Sequence, residues 1–377
     1  MLFNHDLTVN ILNSTFINNK SDHNGGAICI DNISNLDLNI ISNTFIKNEG
    51  INGGAIYLYD NNKSLSKKNG DKQYFDYTIN INDNTFKENL AHNYGGAIFY
   101  KLYTPISSSS SLIKNKYENN KAGILGGAIY TDNSKEQNIP DIDQNTFSNN
   151  FANDFDNNYT SKPSYILLNT ILAKNKKIYS GDYLPLMFDL YDEYGKIMEV
   201  NNYINNIIMK VTMEKKNEHN NNSNNNNNDN NKSKVKTHYL TGNVASFISG
   251  KCNLNSLQIY ANPDQYILRF SIENYNEFIT LNTTNTEIEV MECDNKKIKK
   301  YDTFHNITYC EEPTCLDSCP IKKSAECLPN PNDNTINDPT KNICHCLEGF
   351  EGINCQDYII VDYKYESLII NFNIIIY

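Results

Sequence analysis

The sequence predicts an all-β chain in three parts: a solenoid of short stacked strands, a β-sandwich and a small disulfide-rich module. Three observations carry this. A two-part phrase, an aromatic residue followed by Gly-Gly-Ala, recurs through residues 1–160. Short alternating apolar runs bounded by turn residues fill residues 165–292, and eight of the ten cysteines fall between Cys293 and Cys355.

The solenoid rests on internal repetition. "GGAI" occurs at 25–28, 53–56, 95–98 and 126–129, preceded in turn by "NSTFINN" around Phe16, "SNTFIKN" around Phe45, "DNTFKEN" around Phe86 and "KNKYENN" around Tyr117. A fifth element, "QNTFSNN" around Phe147, has no clear "GGA" after it. The aromatic lies nine, eight, nine and nine residues before the first glycine, whereas successive aromatics are 29, 41, 31 and 30 residues apart. A solenoid imposes that contrast, because equivalent residues share one place in the cross-section while connecting loops lengthen freely. The segments "LTVNIL", "LDLNII" and "YTININ" are β-branched and alternating, so the coils are built of strands. Stacking every ~4.8 Å aligns Phe16, Phe45, Phe86, Tyr117 and Phe147 as a core ladder. It aligns Asn19, Asn48, Asn89, Asn120 and Asn150 as a hydrogen-bonded ladder at the turns. A strand rather than a helix follows each glycine pair, so the pairs mark tight corners and not a phosphate cradle.

The pairing of "FxxN" with "GGA" and an aliphatic residue resembles the repeat of chlamydial polymorphic outer-membrane proteins, over residues 1–160. The resemblance implies a right-handed parallel β-helix. It also implies adhesion, since the bacterial repeats belong to surface-exposed adhesins. Pectin-cleaving enzymes share the β-helix, but lyases of that kind need a basic residue with calcium-holding carboxylates, and hydrolases need clustered aspartates. Residues 1–160 contain no arginine; Asp22, Asp60, Asp83 and Asp132 take different positions in the repeat, and His5, His23 and His92 are scattered. These groups read as solvated surface, and no catalytic residue is expected.

Two residues after each alanine stand Cys29, Tyr57, Phe99 and Tyr130. With the preceding isoleucines turned inward, strand alternation turns this set outward. Tyr57, Phe99 and Tyr130 are then either a bare stripe able to stack on sugar rings or a face covered by neighbouring chain. The second is favoured, because large apolar patches are seldom left exposed.

In residues 165–292, Tyr266, Leu268, Phe270 and Ile272 alternate and "DEYGK" supplies a turn between strands. The order "SG..LP", "D..G", "G.A.F" and "P..Y.L.F" resembles bacterial-type and filamin-type immunoglobulin-like modules, which implies a structural β-sandwich. Within it, residues 217–234 are asparagine-rich and too polar to offset their ordering entropy, so they read as a disordered loop.

"CHCLEGFEGINC" at 344–355 resembles the closing signature of an epidermal-growth-factor-like module, here spanning residues 293–357. That resemblance implies pairs Cys346–Cys355 and Cys319–Cys344, with Cys327 joined to either Cys315 or Cys310. Cys293 closes on whichever of Cys310 and Cys315 remains, leaving Cys29 and Cys252 as thiols. Zinc is the rival reading, yet paired C-x2-C knuckles are missing, although His345 sits between two cysteines. The acidic run that precedes calcium-binding versions is missing too, so neither a metal nor any other cofactor is expected.

Dense disulfides indicate an oxidising compartment. Sequons at Asn13, Asn19, Asn32, Asn62, Asn158, Asn221, Asn231, Asn282 and Asn306 are glycosylation candidates that fit it. The start lacks the cationic and apolar regions of a signal peptide and reads as truncated. The apolar tail 358–377 reads as a final strand or the start of a membrane segment. A formal charge of −11 and a single arginine, Arg269, argue against a nucleic-acid partner. The expectation is a non-enzymatic extracellular or cell-surface adhesion protein with a polysaccharide or surface-protein ligand. The alternatives are a receptor ectodomain attached through its tail and, more remotely, a carbohydrate-active enzyme.

Overall fold

The computed structural model describes residues 6–31, 35–60, 77–103, 107–132, 142–173, 175–200, 207–216, 238–274, 279–283 and 285–359. The run 217–234, most of the tail 358–377, and His5, Asn32, Asn62, Asn221 and Asn231 lie outside them.

The described residues between 6 and 161 form a parallel β-helix. The strands Asp6–Leu12, Asn35–Ile41 and Thr78–Asn82 stack in register as one face. Five three-residue strands, from Thr15–Ile17 to Thr146–Ser148, stack as the next. The two-residue strands Glu49–Gly50, Leu90–Ala91, Lys121–Ala122 and Phe151–Ala152 make a third, and Ile28–Asp31, Ile56–Tyr59, Ile98–Lys101, Ile129–Thr131 and Tyr159–Ser161 a fourth. Every pairing among these strands is parallel.

Two ladders hold the stack. Phe16, Phe45, Phe86, Tyr117 and Phe147 lie face to face, with centroids 4.8, 4.9, 5.0 and 5.0 Å apart. Beside them, Asn89 Nδ2 donates to Asn120 Oδ1 at 2.9 Å and to Phe45 O at 3.0 Å, while Asn89 Oδ1 accepts from Asn48 N and Nδ2. These amides are buried, and the ladder satisfies them where no water reaches.

The first glycine of each phrase takes a left-handed φ, +65° at Gly95. The second is confined by the coil stacked on it: a Cβ on Gly96 would lie 2.0 Å from Gly127 O. In the fifth coil "DNNY" stands where "GGAI" stands elsewhere. Asp156 carries the positive φ, and Tyr159 pairs with Ile129. Asn157 takes the position of the second glycine, where a side chain is tolerated because no further coil stacks on it.

Two sheets with one core follow. One contains Lys251–Leu254, Leu186–Asp192, Pro163–Leu168 and Thr280–Leu281; the other contains Lys176–Tyr179, Thr286–Met291, Asp264–Glu273, Ile208–Lys215 and Val244–Ser246. Phe188, Leu190, Met209, Val211, Phe247 and Leu268 fill the space between them. The hairpin of Ile298–Asp302 and Ile307–Glu311 then opens the cysteine-rich module and is anchored by Cys310 N donating to Ser180 O at 2.7 Å.

Candidate functional site

The register of the fourth solenoid face aligns Cys29, Tyr57, Phe99, Tyr130 and Thr160. Tyr57 stacks on Phe99 at 5.0 Å and Phe99 on Tyr130 at 5.6 Å. These side chains turn away from the solenoid core, as alternation requires, but they are not exposed: Tyr57, Phe99 and Tyr130 retain 7%, 6% and 3% of their surface. They belong to the same contiguous apolar cluster as the core of the two-sheet domain. The stripe is therefore corrected as a ligand site. Burial of each ring is worth about 2 kcal/mol, and it joins the two domains instead of facing a sugar. Cys29, at the outer end of the row, is exposed.

The row ends in a polar junction. Thr160 Oγ1 donates to Asp192 Oδ2 at 2.9 Å, and Asp192 Oδ1 accepts from Tyr194 N and Lys196 N. Tyr194 meets Tyr159 edge-on at 5.1 Å and lies 3.1 Å from Thr131 Oγ1 through its hydroxyl, closing the end of the solenoid core. Lys196 Nζ reaches Asp156 at 2.6 Å and sits 3.4 Å above the Tyr159 ring. A stacked solenoid needs such a cap over its last coil, and the "DEYGK" turn supplies it.

Two aspartates read as solvated are corrected here. Asp132 is buried against Lys101 and Lys162, and Asp60 is buried and accepts from Tyr103 N. Asp22, Asp83, His23 and His92 are exposed. Burial, with Asp132 and Asp192 nearby and Lys162 opposing, pushes Glu193 up to about 8 from an ordinary value near 4.5. The folded chain thus keeps a proton that the unfolded chain releases, and stability falls as pH rises between those values. Glu193→Gln, which mimics the protonated form, is expected to flatten this loss. Thermal unfolding from pH 5 to pH 9 checks it: the melting temperatures should separate as pH rises towards about 8, reaching a difference of a few degrees there and widening no further above it.

In the cysteine-rich module the disulfides are Cys293–Cys310, Cys315–Cys327, Cys319–Cys344 and Cys346–Cys355. Gly349 has φ +90° at the turn before Phe350, whose ring lies 5.0 Å from Tyr358. His345 is exposed beside its disulfide-bonded neighbours. The Cys252 thiol is buried, which pushes it up to about 12 and leaves it unreactive. Among the described residues no helix is long and apolar enough to cross a membrane, which leaves strand-built spans aside.

The sequons divide by environment. Asn13, Asn19, Asn282 and Asn306 are exposed. Asn158 is half-buried in the capping coil, where its Oδ1 accepts from Asn150 Nδ2 at 3.3 Å, and its sequon threonine, Thr160, is fully buried. Asn158 thus terminates the asparagine ladder, and a glycan there would compete with that bond.

One coil carries enough of the pattern to be matched directly. Residues 13–31 match the Chlamydia polymorphic membrane protein repeat. No curated protein matches the chain. The matched segment holds Phe16, Asn19 and the first Gly-Gly-Ala, and the following coils place their equivalents on the same ladders. A second asparagine ladder, Asn43, Asn84, Asn115 and Asn145, escaped the sequence reading, although each residue stands two positions before its aromatic. Also missed was a group of tyrosines between the two-sheet domain and the cysteine-rich module, for which the sequence holds no periodic signal.

Proposed function

We propose that the chain is a non-enzymatic extracellular or cell-surface binding protein, with the solenoid as a scaffold that holds outward loops in register for a glycan or protein ligand. The observation that carries this reading is a polymorphic-membrane-protein repeat in one chain with a module closed by four disulfides. Structural disulfides persist in oxidising surroundings, outside the cytosol. In this reading the solenoid is right-handed, the two-sheet domain is an immunoglobulin-like spacer, the last module is growth-factor-like, and the surface-adhesive use of the repeat carries over. Membrane attachment through the apolar residues from Leu368 onward fits the same reading.

A carbohydrate-active enzyme is the competing proposal, and one observation favours it. Asp132, Asp192 and Glu193 gather at the junction, and Glu193 holds its proton near neutrality as a general acid would. Against it, the group is buried between domains and engaged in the cap. The experiment is a binding screen of the full disulfide-bonded chain on glycans and intact cells, with release of reducing sugar measured in parallel.

A further inference from the structure

Between the two-sheet domain and the cysteine-rich module lies a cleft of about 410 Å³ walled by Tyr239, Tyr260, Tyr301 and Tyr309, with Asp302 and Glu311 at its edge. Tyr239 and Tyr260 stack at 4.7 Å, and Tyr309 meets Tyr260 edge-on at 5.5 Å. The phenolic protons are already committed. Tyr239 donates to Asp302 at 3.3 Å, Tyr260 to Gln258 at 3.4 Å, Tyr301 to Asn306, and Tyr309 to Glu311. The tyrosines therefore offer ring faces and oxygen lone pairs; Asp302, which already accepts from Tyr239, from His305 Nδ1 and from the Phe304 and His305 amides, contributes its charge, and Glu311 supplies the remaining acceptors.

Among the described residues, none of those lining the cleft is a lysine or arginine. Lys300, across the strand pair from Tyr309, lies within electrostatic reach of Asp333. The His305 ring lies 4.3 Å from Tyr239, tilted by 36°, and contacts Asp302 through Nδ1 at 2.7 Å. Burial first, and then Asp302 and Tyr260, push the Tyr239 phenol up to about 12, as expected where negative potential opposes a phenolate.

The adjoining cleft shows what such a lining accepts. There Lys297 Nζ lies between Asp182, at 3.2 Å, and Glu312, and 5.1 Å from the centre of the Tyr179 ring. That lysine belongs to the chain itself and is almost covered, with 13% of its side chain exposed. Tyrosine faces and carboxylates together attract an ammonium, by cation–π attraction and by charge.

We propose that the Tyr239–Tyr260–Tyr309 cleft binds the primary ammonium of a lysine side chain on a partner protein. Charge complementarity favours a basic partner, because the chain carries a formal charge of −11. A neutral saccharide would gain stacking from the rings but nothing from the charge of the two carboxylates. The binding reading proposed above does not depend on this cleft, and the two fail separately.

The test titrates the full chain, by calorimetry, with a lysine-containing peptide and with the same peptide acetylated at each lysine. The unmodified peptide is expected to bind and the acetylated one to lose at least about tenfold, the loss of one charge-assisted contact. Glu311→Gln should weaken binding about tenfold and Tyr301→Ala about fivefold. Glu348→Gln, an equal charge change on an exposed residue elsewhere, should leave binding within about twofold. Because Tyr301 is 58% exposed, its removal should leave thermal unfolding unchanged, which separates a lost site from a lost fold. Equal binding of the acetylated peptide, equal weakening by Glu348→Gln and Glu311→Gln, or binding of a chitin oligosaccharide in place of the lysine peptide would each overturn the proposal. If surface binding of the whole chain survives Glu311→Gln, that supports the scaffold reading alone.

Discussion

Asn89→Ala is expected to destabilise the solenoid by about 4 kcal/mol, the sum of two to three buried polar groups left without partners. The substitution removes the oxygen that accepts from Asn48 N at 3.0 Å and from Asn48 Nδ2 at 2.9 Å, and it removes the donor to Phe45 O. No water can replace them, because Asn48, Phe45 and Asn89 are fully buried. The equivalent change at Asn19 provides the comparison. Asn19 is exposed in the first described coil, so Asn19→Ala should cost about 1 kcal/mol or less. Urea unfolding followed by far-ultraviolet circular dichroism measures both, and equal costs would show that the ladder does not depend on burial.

Gly96→Ala is the second large effect, expected at about 3 kcal/mol from overpacking against backbone that cannot rotate away. The new Cβ would lie 2.0 Å from Gly127 O and 2.6 Å from Lys121 O, both main-chain atoms of the next coil. Unlike Gly95, this glycine has no positive φ, so the penalty is contact and not torsion. The chain contains its own control in Asn157, which holds the same place in the last coil. Asn157→Gly should cost under about 1 kcal/mol, mainly the lost bond from Ala152 N to Asn157 Oδ1 at 3.0 Å. A shift in urea midpoint for Gly96→Ala no larger than that for Asn157→Gly would contradict the close stacking of the corners.

How much of this was legible depended on whether a residue's place is set by local repetition or by distant packing. Phe16, Phe45, Phe86, Tyr117 and Phe147 were placed correctly because each coil imposes the same spacing on them. The outward direction of Tyr57, Phe99 and Tyr130 followed from alternation along a strand. What covers them did not, because their cover belongs to a domain more than 30 residues further along the chain. Asp132 and Glu193 illustrate the same limit. Each looks like an ordinary surface carboxylate in sequence, and only contacts made in the folded chain, Lys101 and Lys162 for Asp132 and the docked "DEYGK" turn for Glu193, take them out of water. The fifth corner was hidden for a different reason. "DNNY" shares no residue with "GGAI", yet it meets the same backbone requirement, because Asp156 tolerates the left-handed region and Asn157 has no coil above it. The tyrosine cleft assembles residues from four separate segments, so no window of sequence contains it.

The central claim is that the chain binds at a surface and does no chemistry there. Its most direct test is the paired screen of the full disulfide-bonded chain, with adhesion to glycans or intact cells in one arm and release of reducing sugar in the other. Saturable binding with no sugar released is the predicted result. Sugar release abolished by Glu193→Gln or Asp132→Asn in a chain that still folds would contradict it, and would make the buried carboxylates at the junction an active site.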